Sequence, residues 1–187
     1  IQTIEILADI LYQLNRLPEA IDNYKRLINL NQHSFRYYNN IAKAYWELAD
    51  YTQSEHYYQK VLNYAEADEG EIFYYLGFIS NQTNNYDLAM NYFLDSHRCG
   101  YTNINLYYQL SFSAIQMNNY TQIIPLLHEG LYYHPDDYNL LYNLGLSYYE
   151  LGLYSESIDI LNQYFIKNTN DLTAAYLMGV SYLKIKE

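Results

Sequence analysis

Residues 138–152 read Tyr-Asn-Leu-Leu-Tyr-Asn-Leu-Gly-Leu-Ser-Tyr-Tyr-Glu-Leu-Gly, residues 153–165 read Leu-Tyr-Ser-Glu-Ser-Ile-Asp-Ile-Leu-Asn-Gln-Tyr-Phe, and a polar link runs on to Asp171. Leu141, Leu144, Gly145 and Tyr148 recur at the three- and four-residue steps that share one face of a helix. Ser157 and Leu161 do the same after Gly152. The stretch therefore predicts two short amphipathic helices, A and B, around a turn at Gly152.

With Tyr138 as position 1, the same register runs along the whole chain as units 1–34, 35–68, 70–103, 104–137 and 138–171, followed by a lone helix over 172–187. Only Glu69 interrupts the spacing. Position 8 holds Ala8, Ala42, Gly77, Ser111, Gly145 and Gly179, all small, as a close crossing of helices A and B requires. Position 20, on the facing helix, holds Ala20, Ser54, Ala89, Ile123 and Ser157. Large residues at position 7 (Leu7, Ile41, Leu76, Leu110, Leu144, Met178) and position 24 (Tyr24, Tyr58, Phe93, Leu127, Leu161) are expected to fill the space between helices. Thr52, Asp87, Thr121 and Ser155 at position 18 are expected to cap each helix B, with Pro18 suiting a first turn. Pro125, near the start of its helix, predicts a mild bend.

The pattern resembles the tetratricopeptide repeat, in which Trp-x2-Leu-Gly-x2-Tyr is followed by Ala-x3-Phe and then Pro. In unit 138–171 the matching positions hold Leu141, Leu144, Gly145, Tyr148, Ser157, Leu161 and Thr169. The family's Pro survives only as Pro135. The resemblance covers all 187 residues. It implies an all-α fold, a right-handed superhelical solenoid of antiparallel helix pairs, as one domain over 1–187. Because the sequence starts at Ile1 with no Met and stops after one helix of a sixth unit, it is expected to be a piece of a longer protein.

Such a solenoid buries its core between neighbouring repeats. Hydrophobic content is 50%, and 27 residues are Tyr, a side chain that can pack its ring and keep its hydroxyl wet. The net charge of −11, with only 10 basic residues and no cluster of them, argues against nucleic acid. The acidic run from Glu66 to Glu71 reads as a solvated turn. A single Cys99 excludes an intrachain disulfide. There is neither an apolar run long enough for a membrane span nor a signal peptide, so a cytoplasmic location is expected.

No catalytic constellation emerges, and the chain reads as a non-enzyme. His33, His56, His97, His128 and His134 are scattered, and His97 with Cys99 lacks a second ligand pair, so no metal is expected. Cys99 reads as a small packing residue at the end of a helix. No Gly-rich phosphate loop occurs, and no cofactor is expected. Sequons at Asn81 and Asn119 read as chance matches.

Helix A carries a second stripe, positions 2, 5, 9 and 12, about 130° from the core stripe at roughly 100° per residue. It is unusually apolar. Position 5 holds Tyr74, Tyr108, Tyr142 and Tyr176; position 9 holds Phe78, Phe112, Leu146 and Val180; position 12 holds Ile115, Tyr149 and Leu183. In the first two units Glu5, Asp9, Asn39 and Lys43 stand there instead, with Trp46 at position 12. In the resembling family this stripe lines a concave groove for peptides or helices. The implied function is a protein-interaction scaffold or adaptor, with Tyr74, Tyr108, Phe112 and Tyr142 as anchors. Flank packing between adjacent A helices is the competing reading of the same rings.

The chaperone-tail clamp of some members is not expected. Glu5, Asp9, Glu71 and Tyr75 replace its basic and amide positions, and only Asn40 matches. Nor is an asparagine ladder continuous, since Asn40 and Asn143 at position 6 are interrupted by Tyr75 and followed by Leu177. Two further possibilities stand beside the adaptor: a recognition arm of a larger enzyme, and self-assembly through the last helix, where Ala175, Met178 and Tyr182 lack a helix B.

Overall fold

The computed structural model describes residues 1–30, 34–64 and 67–186. His33, Glu66 and Glu187, which entered the sequence reading, lie outside them. The described chain is all helical, with α1 (Gln2–Gln13), α2 (Leu17–Asn29), α3 (Phe35–Glu47), α4 (Tyr51–Val61), α5 (Glu69–Gln82), α6 (Tyr86–Arg98), α7 (Ile104–Gln116), α8 (Tyr120–Tyr133), α9 (Tyr138–Glu150), α10 (Tyr154–Lys167) and α11 (Leu172–Lys186). These are five A–B pairs and a sixth helix A. The residues cluster into two compact units, Ile1–Ile79 and Ser80–Glu187.

Every A helix is joined to its B helix by three residues, and the turn has one geometry. Position 15 is left-handed at Asn15, Ala49, Asn84, Asn118 and Gly152, with φ between 54° and 74°. The amide of position 16 then bonds the carbonyl of position 11, as Arg16 to Leu11, Asp50 to Tyr45, Asn85 to Ser80 and Leu153 to Tyr148 at 2.9 Å, and Asn119 to Ala114 at 2.8 Å. This six-to-one bond, with a five-to-two bond inside it, satisfies the last carbonyls of helix A.

The turn corrects the expected caps. Because it closes at position 16, helix B begins at position 17, and position 18 is already its second residue. The N-caps are Arg16, Asp50, Asn85, Asn119 and Leu153. Asp50 accepts from the Gln53 amide at 3.2 Å and Asn85 from the Leu88 amide at 3.4 Å. Asn119 instead donates its side-chain amide to Gln122 at 2.7 Å. Helix α8 runs unbroken through Pro125.

In unit Ile1–Ile79 the small pairs meet as the spacing requires: Ala8, Ala20, Ala42 and Ser54 are fully enclosed, and the Ser54 hydroxyl donates to the Ala42 carbonyl at 2.9 Å. Leu7 departs from expectation. It is 46% exposed. In unit Ser80–Glu187 a Cβ on Gly145 would stand 2.6 Å from Leu161, so only glycine fits there. Ile123 and Ser111 are both buried; Ser111 turns its hydroxyl back to the Tyr107 carbonyl at 2.7 Å. Gly179 has open space around it, and α11 closes the unit by laying Ala174 and Leu177 against Leu141, Leu161 and Tyr164.

Tyrosines do more than pack with wet hydroxyls. Tyr24, Tyr58 and Tyr107 are among the largest fully buried side chains. Several hydroxyls donate to carboxylates: Tyr12 to Glu47 at 3.0 Å, Tyr24 to Asp9 at 2.7 Å, Tyr107 to Glu129 at 3.2 Å and Tyr164 to Asp171 at 2.6 Å. Glu47, Asp9, Glu129 and Asp171 thus tie tyrosines down rather than facing solvent alone.

Candidate functional site

The apolar stripe divides by unit and by exposure. In Ile1–Ile79, Tyr74 is half-buried and sets its ring edge-on to Tyr75 at 5.5 Å. Phe78 is also half-buried, held by Trp46 at 5.3 Å and Tyr51 at 6.4 Å. These rings are largely used up by one another. The polar end of the stripe is internally paired as well: Lys43 bridges both Glu71 oxygens at 2.8 and 2.9 Å, and Arg36 reaches Glu5 at 3.2 Å and Asp9 at 2.6 Å.

In Ser80–Glu187, Tyr142, Leu146 and Tyr149 are half-buried flank packing on the core of the last repeats. The Tyr142 ring lies 5.4 Å from Tyr164, and burial, followed by the nearby Asp171 charge, raises its pKa. Tyr176 is 66% exposed on α11.

Tyr108, Phe112 and Ile115 are different. They line one shallow, open depression of about 260 Å³ together with Asn139 and Asn143 of the next A helix. Phe112 is 45% exposed, its edge set by Tyr86 at 5.9 Å. Tyr108 is fixed by donating to Asp137 at 2.5 Å. Asp137 in turn caps α9 by accepting from the Leu140 amide at 2.9 Å. Burial and the Asp137 bond raise the Tyr108 pKa, so the ring stays neutral and donates. The structure thus gathers three of the sequence-selected residues and adds two asparagines, Asn139, which the sequence reading did not name, and Asn143, which it named only as part of a broken ladder. Their signal was present: positions 2 and 6 of one A helix face positions 5, 9 and 12 of the helix before it.

Other candidates fall away or change. Cys99 is exposed at the C-cap of α6, not packed, because Gly100 takes the left-handed turn immediately after it and the helix ends there. His97 bonds Glu129 at 2.9 Å. The sequon residue Asn81 is 4% exposed and held by Gln109 and Ser113, each at 2.9 Å. Among the described residues no group of His, Cys, Asp and Glu has metal-site geometry, and no helix is long and apolar enough to cross a membrane.

Comparison with known proteins agrees with this architecture. Tetratricopeptide-repeat family models match residues 8–48, 35–68 and 108–171, together about two thirds of the chain. The fold is similar to the crystal structure of YrrB, described as a TPR protein with an unusual peptide-binding site, at 17% identity and a TM-score of 0.78, covering 92% of this chain and 89% of that one. It is similar to the C-terminal part of a TPR repeat-containing protein from Cytophaga hutchinsonii at 20% identity and a TM-score of 0.75, covering 96% and 70%. It is also similar to MamA at 15% identity and a TM-score of 0.78, covering 91% and 95%. A search of curated protein sequences finds no match. Repeat models, eleven helices in A–B order among the described residues and these shared folds lead to one conclusion: the chain belongs to the tetratricopeptide repeat family, an all-α solenoid of the protein-interaction scaffold class rather than an enzyme.

Proposed function

We propose that this scaffold binds an extended peptide segment of a partner protein at the depression formed by Tyr108, Phe112, Ile115, Asn139 and Asn143. The observation that supports this is the exposed Phe112 ring beside two side-chain amides. An apolar side chain of the peptide covers Phe112 and Ile115, and Asn143 pairs with the peptide backbone. Burying one such ring against a partner side chain is worth roughly 1.5–3 kcal/mol before ordering costs. YrrB, which shares the fold, carries a peptide-binding site by its own description. Tyr142, Leu146 and Tyr149 pack on the core of the last repeats and are given no direct contact with the peptide.

The test is selection from a random peptide library on the intact chain. Selected peptides share an apolar residue, and Phe112→Ala, with unchanged circular dichroism, weakens them about tenfold or more. Selected peptides that bind Phe112→Ala and Asn143→Ala as well as the parent protein overturn the assignment.

Self-association is favoured by a separate observation. Helix α11 exposes Leu172 at 84%, Tyr176 at 66% and Leu183 at 65%. A molar mass that rises with concentration in light scattering supports it, and a constant monomer mass rejects it.

A further inference from the structure

The unit Ile1–Ile79 holds a second, unlike cavity on its B-helix side. It has a volume of about 360 Å³ and is lined by Lys25, Ile28 and Asn29 of α2, Tyr38 of α3, and Tyr57 and Lys60 of α4. Tyr38 and Lys60 also line an adjoining depression with Asn63 and Tyr64. The floor is aromatic: Tyr57 stacks on Tyr45 at 5.8 Å and lies 6.4 Å from Tyr38. Both ammonium groups stand over the one Tyr57 ring, Lys25 at 5.8 Å and Lys60 at 5.1 Å from its centroid. Lys60 also lies 5.8 Å from the Tyr38 ring.

Both lysines lie against rings rather than carboxylates. The chain has 21 carboxylates for 10 basic residues. Arg16, Arg36, Lys43, Arg98 and Lys167 each touch a carboxylate. Lys25 donates instead to the Tyr45 hydroxyl at 2.7 Å, a neutral acceptor, and Lys60 has only rings. Neither makes an ion pair among the described residues. Burial works against the Lys25 ammonium, yet the Tyr45 hydrogen bond and electrostatic attraction from Tyr57, Tyr45 and Asp22 outweigh it, so its pKa stands above the ordinary lysine value and the group stays charged. In an acidic protein, two cations that converge on one ring without an ion pair among the described residues form a site for a compact dianion.

We propose that the Lys25–Lys60 cavity binds a phosphate monoester, with the two ammonium groups on the phosphate oxygens and the tyrosine floor against the esterified group. A carboxylate supplies one charge to two cations, and a phosphodiester likewise one, so the monoester is the better match. Nothing in this site involves the Tyr108–Phe112 depression, and either assignment can fail without the other.

The experiment is a titration of the isotopically labelled intact chain, followed by amide chemical shifts, with phenyl phosphate, inorganic phosphate, benzoate and a single-stranded oligonucleotide as probes. Phenyl phosphate is expected to give saturable shifts confined to residues around Lys25, Asn29 and Lys60. Lys25→Gln and Lys60→Gln each weaken it about tenfold, and Lys60→Arg retains it. Phenyl phosphate is expected to bind tighter than inorganic phosphate, because only the ester places a group against the tyrosine floor; equal binding overturns the monoester assignment. The proposal is overturned if shifts do not saturate, if benzoate binds as tightly, if the oligonucleotide binds tighter, or if a correctly folded Lys60→Gln binds unchanged.

Discussion

The Ser157 hydroxyl donates to the Gly145 carbonyl across 2.9 Å, so that position 20 of one helix is bonded directly to position 8 of its partner. Ser54 and Ala42 make the same bond at 2.9 Å. The crossing is close enough that a Cβ at Gly145 would lie 2.6 Å from Leu161. Gly145→Ala is therefore expected to lower stability by about 1–3 kcal/mol through overpacking, outweighing the better helix propensity of alanine. Ser157→Ala is expected to cost about 0.5–1.5 kcal/mol. Urea unfolding followed by circular dichroism measures both.

The turn at Ala49 carries the opposite prediction. Ala49 sits at φ 58°, where its equivalents are Asn or Gly, and a side chain with a Cβ is strained there. Ala49→Gly should raise stability by about 0.5–1 kcal/mol, since the relief of strain exceeds the added freedom of the unfolded chain. A fall in the urea midpoint would contradict this account of the turn.

The Tyr164–Asp171 bond, 2.6 Å long, sets a dependence on pH at both ends. Burial, with the bond to Asp171, pushes the Tyr164 pKa from 10.0 up to about 12. Between these values the unfolded chain loses a proton that the folded chain keeps, so stability falls as pH rises through that window. Tyr24, Tyr58 and Tyr107 are raised in the same direction, burial being the first cause in each. The Tyr164 bond and the Ala174 and Thr173 amides hold the Asp171 carboxyl below its ordinary 3.8, so its contribution is present above that pH and is lost as pH falls through the depressed value. Tyrosine absorbance titrated beside helical circular dichroism should show late ionisation that coincides with unfolding, and Tyr164→Phe should flatten both limbs.

The paired charges of the first unit predict a negative result. Lys43 is held by Glu71 at 2.8 Å, and Arg36 by Asp9 at 2.6 Å and Glu5 at 3.2 Å, so both cations are already occupied when a carboxylate approaches. An acidic heat-shock C-terminal peptide is expected to show no binding in calorimetry. Micromolar affinity would mean that these ion pairs open to admit a tail.

The repeat register was legible because its cause is local and recurs. A small residue at position 8 has only one physical reason to return at that spacing, and Ala8, Ala42, Gly77, Ser111 and Gly145 all return there. The caps were misread by two residues because Thr, Asp and Ser at position 18 are sound N-cap types taken alone. The left-handed residue at position 15 outranks them: it ends helix A and starts helix B at once, and Asn15, Asn84, Asn118 and Gly152 had already marked it.

Sequence by itself determined the helix pairs, their order and the family, since each rests on spacing within a few tens of residues. It also found a stripe of rings, because a helix face follows from 3.6-residue periodicity. Which rings remain open was decided only in three dimensions. Phe112 is left 45% exposed while Tyr142 is covered by Tyr164, although both occupy the same stripe. The same is true of Lys25 and Lys60. They lie on different helices, 35 residues apart in the chain, and become a pair only because packing brings both over the Tyr57 ring.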